Sequence, residues 1–552
     1  MSWDRKTTLG MLPAQMAATK PDAIALEFGR HSWTFAELSL DVDRVAKALL
    51  HLGIQPGERC IVWLNNCPQW IQLMFALAKI GAVLVPINTR LRTADLEYVL
   101  RQSEASTLIT HDQHGPVDYL AMVREIVYAN ECTIEGDVNS TRLPALRRLI
   151  LSANEQHHGA LSWNAFLGGA AQVDDASLAQ RANATSLDDM LFIMYTSGTT
   201  GFPKGVMRNH HLLENHCERI AVLGTSSSDI VLNYLPLFHI FGYVDGPLMS
   251  VLVGNKQILM DKFDAPAVLR IIEQSRVTQI QGFEAHLNDL IAAQQSTPAD
   301  LSSLRTGVFA AGMQSAVEIT RLARRVLAPL RHITAYGMTE IGANCSLSRI
   351  DSTHEQACET SGLPCAGFDF KIVDPDTGTE LPCGAAGELW VKTYNVMQGY
   401  YQAPELSAAA FSSDAWFKTG DMGLMRSDGY FRLLGRYKDM LKIGGENVDP
   451  MEVERHLLNH PEVYQAAVVG LADTRLAEVA VAFVISVPNS SLSGDALIEF
   501  CRGKIASFKI PRHIAIVETL PMTASGKVRK VELRELAEQK FPPSNPALAP
   551  KH

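Results

Sequence analysis

The sequence predicts an α/β protein. It reads as a large N-terminal domain of layered α/β subdomains plus a small β-rich subdomain, followed by a small α+β C-terminal domain. Three observations predict this. Amphipathic helical stretches alternate with short apolar runs through the N-terminal part. From about residue 366 to 435 the texture changes to short strands between turns such as Ser427-Asp428-Gly429. After Gly435 the helix–strand alternation returns. The expected division is 1–436, with the β-rich subdomain at about 366–435, and 437–552.

The elements follow in order. Phe35, Leu38, Val42, Val45, Ala46 and Leu49 fall on one face of a helix within 33–55, which Gly53 stops. Ile61-Val62-Trp63-Leu64 is a short buried strand, Pro68–Ile80 a helix and Ala82–Pro86 a second strand. The stretch 112–190 is more polar and less regular, and His157-His158 within it reads as a surface loop. Strands are expected at Leu191–Met194, Ile230–Tyr234 and Gln257–Met260, with a helix at Pro266–Gln274. In the last part a helix is expected near 450–459 and strands near 464–470 and 479–486. The tail after Phe541, rich in Pro and Ala, reads as flexible.

Composition narrows the function. The chain has 552 residues, 49 Lys and Arg, 59 Asp and Glu, and a formal net charge of −10. That balance disfavours nucleic-acid binding by bulk charge. The N-terminus lacks the apolar core of a signal peptide, and the run Trp70–Pro86 is too short and too broken at Lys79 to span a membrane. Nine cysteines at irregular spacing, with no C-x-x-C, fit a reduced, cytoplasmic protein.

The strongest chemical signal is Tyr195-Thr196-Ser197-Gly198-Thr199-Thr200-Gly201-Phe202-Pro203-Lys204-Gly205, directly after a β-rich run. Glycines let backbone N–H groups approach an anion, the hydroxyls of Thr196, Ser197, Thr199 and Thr200 add donors, and Lys204 adds a charge. Such a segment suits a polyphosphate. It is not a Walker A loop, because no Gly-Lys-Ser/Thr follows and Pro203 precedes the lysine.

This segment resembles the phosphate loop of the acyl-adenylate-forming superfamily, which holds acyl- and aryl-CoA synthetases, luciferases and peptide-synthetase adenylation domains. Further motifs of that family stand in the expected order: Tyr336-Gly337-Met338-Thr339-Glu340, Gly387-Glu388-Leu389, Lys418-Thr419-Gly420-Asp421, Gly435-Arg436-Tyr437-Lys438-Asp439, Lys442 with Gly444-Gly445-Glu446-Asn447, and Pro521–Lys527. The resemblance spans about residues 20 to 535. It implies a two-step reaction: a carboxylate attacks the α-phosphate of ATP with Mg²⁺, giving an acyl-adenylate and pyrophosphate, and the thiol of coenzyme A then displaces AMP.

Roles follow by the same resemblance. Thr196 to Gly201 and Lys204 would hold the phosphates, Glu340 the Mg²⁺, Thr339 the α-phosphate, Tyr336 and Gly337 the adenine side, Asp421 the ribose hydroxyls and Arg436 the ribose or phosphate. Lys527 would contact the carboxylate and α-phosphate oxygens during adenylation. Lys438 would be the hinge of a mobile C-terminal domain, which for thioester formation presents Lys442, Gly444 and Gly445 instead. The acyl group would lie beside Leu235-Pro236-Leu237-Phe238-His239-Ile240-Phe241-Gly242, with His239 gating or lining the pocket and Gly282-Phe283 and Ala310–Gln314 adding to it. No cation stands out there to pair with a second carboxylate. The favoured substrate is therefore a medium- or long-chain fatty acid. An aryl acid, or loading of a separate acyl carrier protein, is the alternative. The implied partners are the small acid, ATP and CoA, with no nucleic acid and no transmembrane segment; a homodimer is compatible with this. Three departures from the family pattern bear on the pocket or the C-terminal domain: Gly312-Met313-Gln314, Gly282-Phe283-Glu284, and Ala477 where relatives often place glycine before Glu478.

Overall fold

The computed structural model describes residues 7–128, 131–133, 136–196, 203–310, 317–374, 377–436, 441–448, 450–488, 490–521, 528 and 530–542, without the side chains of residues 318, 435, 436, 447, 451 and 531. The expected flexible tail after Phe541 lies outside them apart from Pro542. The chain divides into two units. One comprises Met1–Thr89, Glu97–Tyr195 and Gly205–Gly435; the other comprises Arg90–Leu96, Thr196–Lys204 and Arg436–His552.

The α/β expectation holds. The helix Phe35–His51 begins at a reciprocal cap, in which Thr34 Oγ1 accepts from Glu37 N–H and Glu37 Oε2 accepts from Thr34 N–H. All six residues of the expected apolar face are buried. Gly53 then takes φ +79°, a left-handed conformation that suits glycine and ends the helix.

Two sheets form the bulk of the first unit. A seven-stranded sheet runs in the order Gly399–Tyr400, Lys204–Asn209, Met190–Thr196, Val83–Pro86, Arg59–Trp63, Thr107–Thr110 and Arg148–Leu151. The pairs from Met190–Thr196 through to Arg148–Leu151 are parallel, and Gly399–Tyr400 closes the other edge antiparallel. A ten-stranded sheet has a parallel centre that includes Ile230–Asn233, Lys256–Leu259, Thr306–Ala310 and Arg331–Tyr336. Strands buried on both faces need continuous apolar runs, as in Cys60-Ile61-Val62-Trp63. The stretch 112–190 is more regular than its polar composition suggests. It contains the helices Tyr119–Ile126 and Asp175–Ala184 and the edge strand Arg148–Leu151. Their short apolar faces, each beside Asp118 or Asp174 as cap, carried too weak a period to read. A four-stranded antiparallel sheet, Phe368–Val373, Gly387–Thr393, Phe417–Met425 and Phe431–Arg436, follows.

The second unit is built on a five-stranded sheet of Leu441–Ile443, Glu446–Val448, Val463–Asp473, Ala477–Ser486 and His513–Ile516. The helices Pro450–Leu458, Gly494–Cys501 and Lys530–Lys540 accompany it. No described helix is long and apolar enough to cross a membrane.

Four histidines are buried in the first unit, and burial pushes their pKa down from 6.5: His111 and His210 to about 4, His216 and His332 to about 3. Their neutral forms are built in; His210 Nδ1, for example, accepts from Leu9 N–H at 3.0 Å. A depressed folded-state pKa means the unfolded chain binds more protons. The stability these groups contribute is complete above about pH 6.5 and is lost as pH falls toward 4 and 3. At pH 5.5 each costs about 1.4 kcal/mol. Asp245, pushed up to about 7 by burial, titrates with the opposite sign, one group against four. The melting temperature is therefore expected to drop steeply between pH 7 and pH 5, followed by circular dichroism. A flat profile over that range would contradict it.

Candidate active site

The two motifs with the most chemistry before residue 401 follow strands of parallel sheets. The strand Arg331–Tyr336 leads through Gly337-Met338 into a single turn, Thr339–Ile341. The glycine-rich segment follows the strand Met190–Thr196. The crevice beyond the carboxyl ends of parallel strands is where open α/β sheets bind ligands. Gly337 is dictated by packing, since any Cβ there would overlap the Ala343 carbonyl.

Asp421 lies on the strand Phe417–Met425 and is 4% exposed. The Tyr336 hydroxyl donates to its Oδ2 at 2.7 Å. This bond joins two motifs 85 residues apart. Burial and the Asp421 charge push the Tyr336 hydroxyl well above its ordinary pKa of 10, so it stays a donor. Asp421 is preceded by a fixed turn: Glu388 accepts from Gly420 N–H at 3.0 Å and from Trp390 Nε1–H at 2.9 Å. Glu388 thereby gains a defined task that its motif alone does not disclose. The Tyr336 ring packs on Phe431 at 5.2 Å between centroids and is itself 6% exposed.

Thr339 is buried and Glu340 half-buried. The Glu340 carboxylate accepts from the Tyr400 hydroxyl at 3.2 Å. Among the described residues no group of three or more His, Cys, Asp or Glu is arranged so that it could hold a metal ion. One hard carboxylate without a ligand cage fits Mg²⁺, which takes most of its ligands from phosphate and water.

Of the segments expected beside the acyl group, those described come together. Asn66 clamps the Leu235–Leu237 segment: its amide donates to the Leu235 and Met260 carbonyls, both at 3.0 Å, and its oxygen accepts from Leu237 N–H at 2.9 Å. His239 caps the short helix Ile240–Tyr243, its Nδ1 accepting from Phe241 N–H at 3.3 Å. Its ring meets Phe283 edge-on at 6.0 Å, and Phe283 lies 5.3 Å from Phe241. Gly282–Phe283 pairs with Phe309–Ala310, so three separated segments meet. The aromatic group continues through His286, Phe263 and Tyr234, which sequence reading did not single out. Only their position after strands could have marked them.

In the second unit Gly444 and Gly445, at φ +58° and +85°, form the two-residue turn between Leu441–Ile443 and Glu446–Val448. Two positive φ values in a row explain both glycines before any ligand is invoked. Lys442 N–H donates to Glu478 Oε2 at 2.6 Å. Ala477, the departure beside Glu478, sits at φ +68°. A left-handed alanine costs about 1–2 kcal/mol, while glycine loosens the unfolded chain by about 0.4–1 kcal/mol. Relief exceeds the loss, so Ala477→Gly is expected to slow hydrogen exchange along Ala477–Ser486; faster exchange would contradict this.

Ser197, Gly198, Thr199, Thr200 and Gly201, Gly312-Met313-Gln314, Lys438 and Lys527 lie outside the described residues, as does the Arg436 side chain. Thr196 and Lys204, which flank the glycine-rich segment, are half-buried strand residues.

The model of the AMP-binding enzyme family matches residues 14–401, and that of the AMP-binding enzyme C-terminal domain matches 452–527. The chain belongs to the AMP-binding enzyme family, as an AMP-forming acid–CoA ligase. It is 36% identical to a putative acyl-CoA synthetase, YngI, of Bacillus subtilis, over 97% of this chain and 98% of that protein. It is 32% identical to the mitochondrial medium-chain acyl-CoA ligase ACSF2 of Danio rerio, over 92% of this chain and 84% of that one. Among solved structures, the anthranilate CoA ligase AuaEII in complex with anthranoyl-AMP superposes with a TM-score of 0.67 at 26% identity, covering 98% of each chain.

Proposed function

We propose that this protein activates an apolar monocarboxylic acid, a medium- or long-chain fatty acid, as its acyl-adenylate and transfers the acyl group to coenzyme A. The observation that carries the reading is the acyl wall. Phe241, Phe263 and Phe283 pack with His239 and His286 into one aromatic group, and Arg219, the cation that reaches Phe241, is buried and already paired with Asp245 rather than offered to a second carboxylate. The medium-chain ligase relative supports an aliphatic acid. The ring-rich wall and the anthranilate ligase neighbour favour a second reading, an aryl acid.

The chemistry assigns tasks to this chain's residues. The acid oxygen attacks the α-phosphorus and pyrophosphate leaves; two anions must meet, so fixed donors have to face them. In our reading Thr196 to Gly201 and Lys204 hold the phosphates, Thr339 the α-phosphate and Lys527 the acid and α-phosphate oxygens. Asp421 accepts the ribose hydroxyl protons, its orientation fixed by Tyr336. Glu340 would hold Mg²⁺, which when bound offsets phosphate charge. In the second step the thiolate sulfur attacks the acyl carbon and AMP leaves. Lys438 serves as the hinge, and the hairpin bearing Lys442, Gly444 and Gly445 faces the thioester-forming step. The nine cysteines, none of them in a disulfide, support a cytoplasmic location.

Pyrophosphate release across a panel of aliphatic and aryl acids, with and without CoA, tests the proposal. CoA-dependent turnover best with C8–C16 fatty acids supports it. Turnover confined to aryl acids would move the assignment to the second reading, and adenylation without acyl-CoA would point to a carrier protein as acceptor.

A further inference from the structure

Glu340 is held at two separate points. Its main-chain carbonyl accepts from Met397 N–H at 2.7 Å and from Arg208 Nη1 at 3.0 Å. Arg208 is 1% exposed and also donates to the Asn395 carbonyl at 2.9 Å and to the Asn395 side-chain oxygen. A Cβ at Gly342 would collide with the Asn395 amide and approach Arg208 Nη2, so this corner of the chain has no room to shift. The backbone of Glu340 is therefore fixed, and the remaining freedom is in its side-chain torsions.

The Tyr400 hydroxyl restrains those torsions, at 3.2 Å from Oε1. Tyr400 is itself well anchored. It is 8% exposed, its N–H donates to Ser407 Oγ at 2.8 Å, and it lies opposite Val206 in an antiparallel pair. Tyr401 N–H adds a bond to the Gly205 carbonyl at 2.8 Å. The strand on the other side of this pair, Lys204–Asn209, is the one that continues the chain from the glycine-rich segment. A neutral phenol at a carboxylate leaves the carboxylate's charge in place, unlike a cation in the same position.

We propose that Tyr400 is a positioning residue, whose hydroxyl holds the Glu340 carboxylate in the orientation that takes a nucleotide-bound divalent cation. This rests on the reading of Glu340 as the cation ligand. Groups that orient a metal ligand typically change metal affinity by about 10–100-fold when removed. Nothing in the motif containing Glu340 points to Tyr400; the strand pairing brings it there.

Tyr400→Phe removes one oxygen and keeps the ring and the strand pair. The full chain with a non-hydrolysable ATP analogue is titrated with Mn²⁺, and free Mn²⁺ is read by electron paramagnetic resonance. The expected result is at least tenfold weaker Mn²⁺ binding, with analogue affinity in EDTA and melting temperature as in the wild type. In turnover the lost kcat returns at raised Mg²⁺ while KM for the acid is unchanged. Wild-type Mn²⁺ affinity in Tyr400→Phe, or a lowered melting temperature with unchanged Mn²⁺ affinity, would overturn the proposal. Glu340→Gln is run beside it: if that variant binds Mn²⁺ as the wild type does, the cation-ligand reading itself fails, whatever Tyr400→Phe shows.

Discussion

Lys527→Ala is expected to lower acid-dependent pyrophosphate release by about 10²–10³ while leaving the thioester half-reaction intact. The first step forces a carboxylate against a phosphate that already carries negative charge. In water such repulsion is screened; in a cleft of low dielectric it is not. In our reading Lys527, which follows Ser525-Gly526 in the sequence, bridges both oxygens as the new bond forms. Asp421, Tyr336 and the glycine-rich segment would still bind ATP in the variant, so KM for ATP should change little. The check is to compare two rates: acid-dependent exchange of pyrophosphate into ATP, and acyl-CoA formation from synthetic acyl-adenylate plus CoA. An equal fall in both would remove Lys527 from the adenylation step specifically, and no fall in the first would remove it from the chemistry.

The second large effect is on stability. Arg219, from the helix Leu212–Leu223, and Asp245, in the π-helical turn Val244–Leu248, form an ion pair with side chains 1% and 0% exposed. Among the described residues no other hydrogen bond reaches the guanidinium nitrogens or the carboxylate oxygens. Burial pushes the Asp245 carboxyl up to about 7 against the pull of the guanidinium. Desolvation thus offsets most of the attraction, and the pair as a whole contributes little. Removing one member is different, because the other is left buried without its partner. Arg219→Met is expected to destabilise by about 3–5 kcal/mol, and Arg219→Met with Asp245→Asn to recover most of that. Urea midpoints of the three proteins check it. If the double variant is as unstable as the single one, the cost is lost packing against Phe241, whose ring lies 5.6 Å from the guanidinium carbon.

Much of this fold was legible because its signals are periodic. The face of Phe35–His51 and the apolar run Cys60–Trp63 state their own burial, and Gly53 and Thr34 mark where the helix stops and starts. The site was legible where a motif concentrates chemistry in a few residues, as in Thr339-Glu340 and Gly420-Asp421. What escaped was whatever depends on long-range pairing. Tyr400 stands after a glycine in a two-residue strand, and its partner Glu340 is 60 residues away. Arg208 looks like an ordinary strand arginine until the chain folds it onto the Glu340 and Asn395 carbonyls. The Gly444-Gly445 pair shows the converse. Read by resemblance as a ligand feature, it is also what the hairpin geometry requires. At Ala477, by contrast, the sequence departure from glycine fell on a backbone position that favours glycine.

The central claim is that one site makes an enzyme-bound acyl-adenylate and then passes the acyl group to CoA. A rapid-quench experiment tests it most directly: enzyme, α-labelled ATP, Mg²⁺ and the best acid of the panel, first without CoA and then with CoA added. The account predicts acyl-AMP accumulating with one equivalent of pyrophosphate per site, discharged to AMP and acyl-CoA on addition of the thiol. Formation of ADP and phosphate, or of acyl-CoA with no adenylate before it, would contradict it.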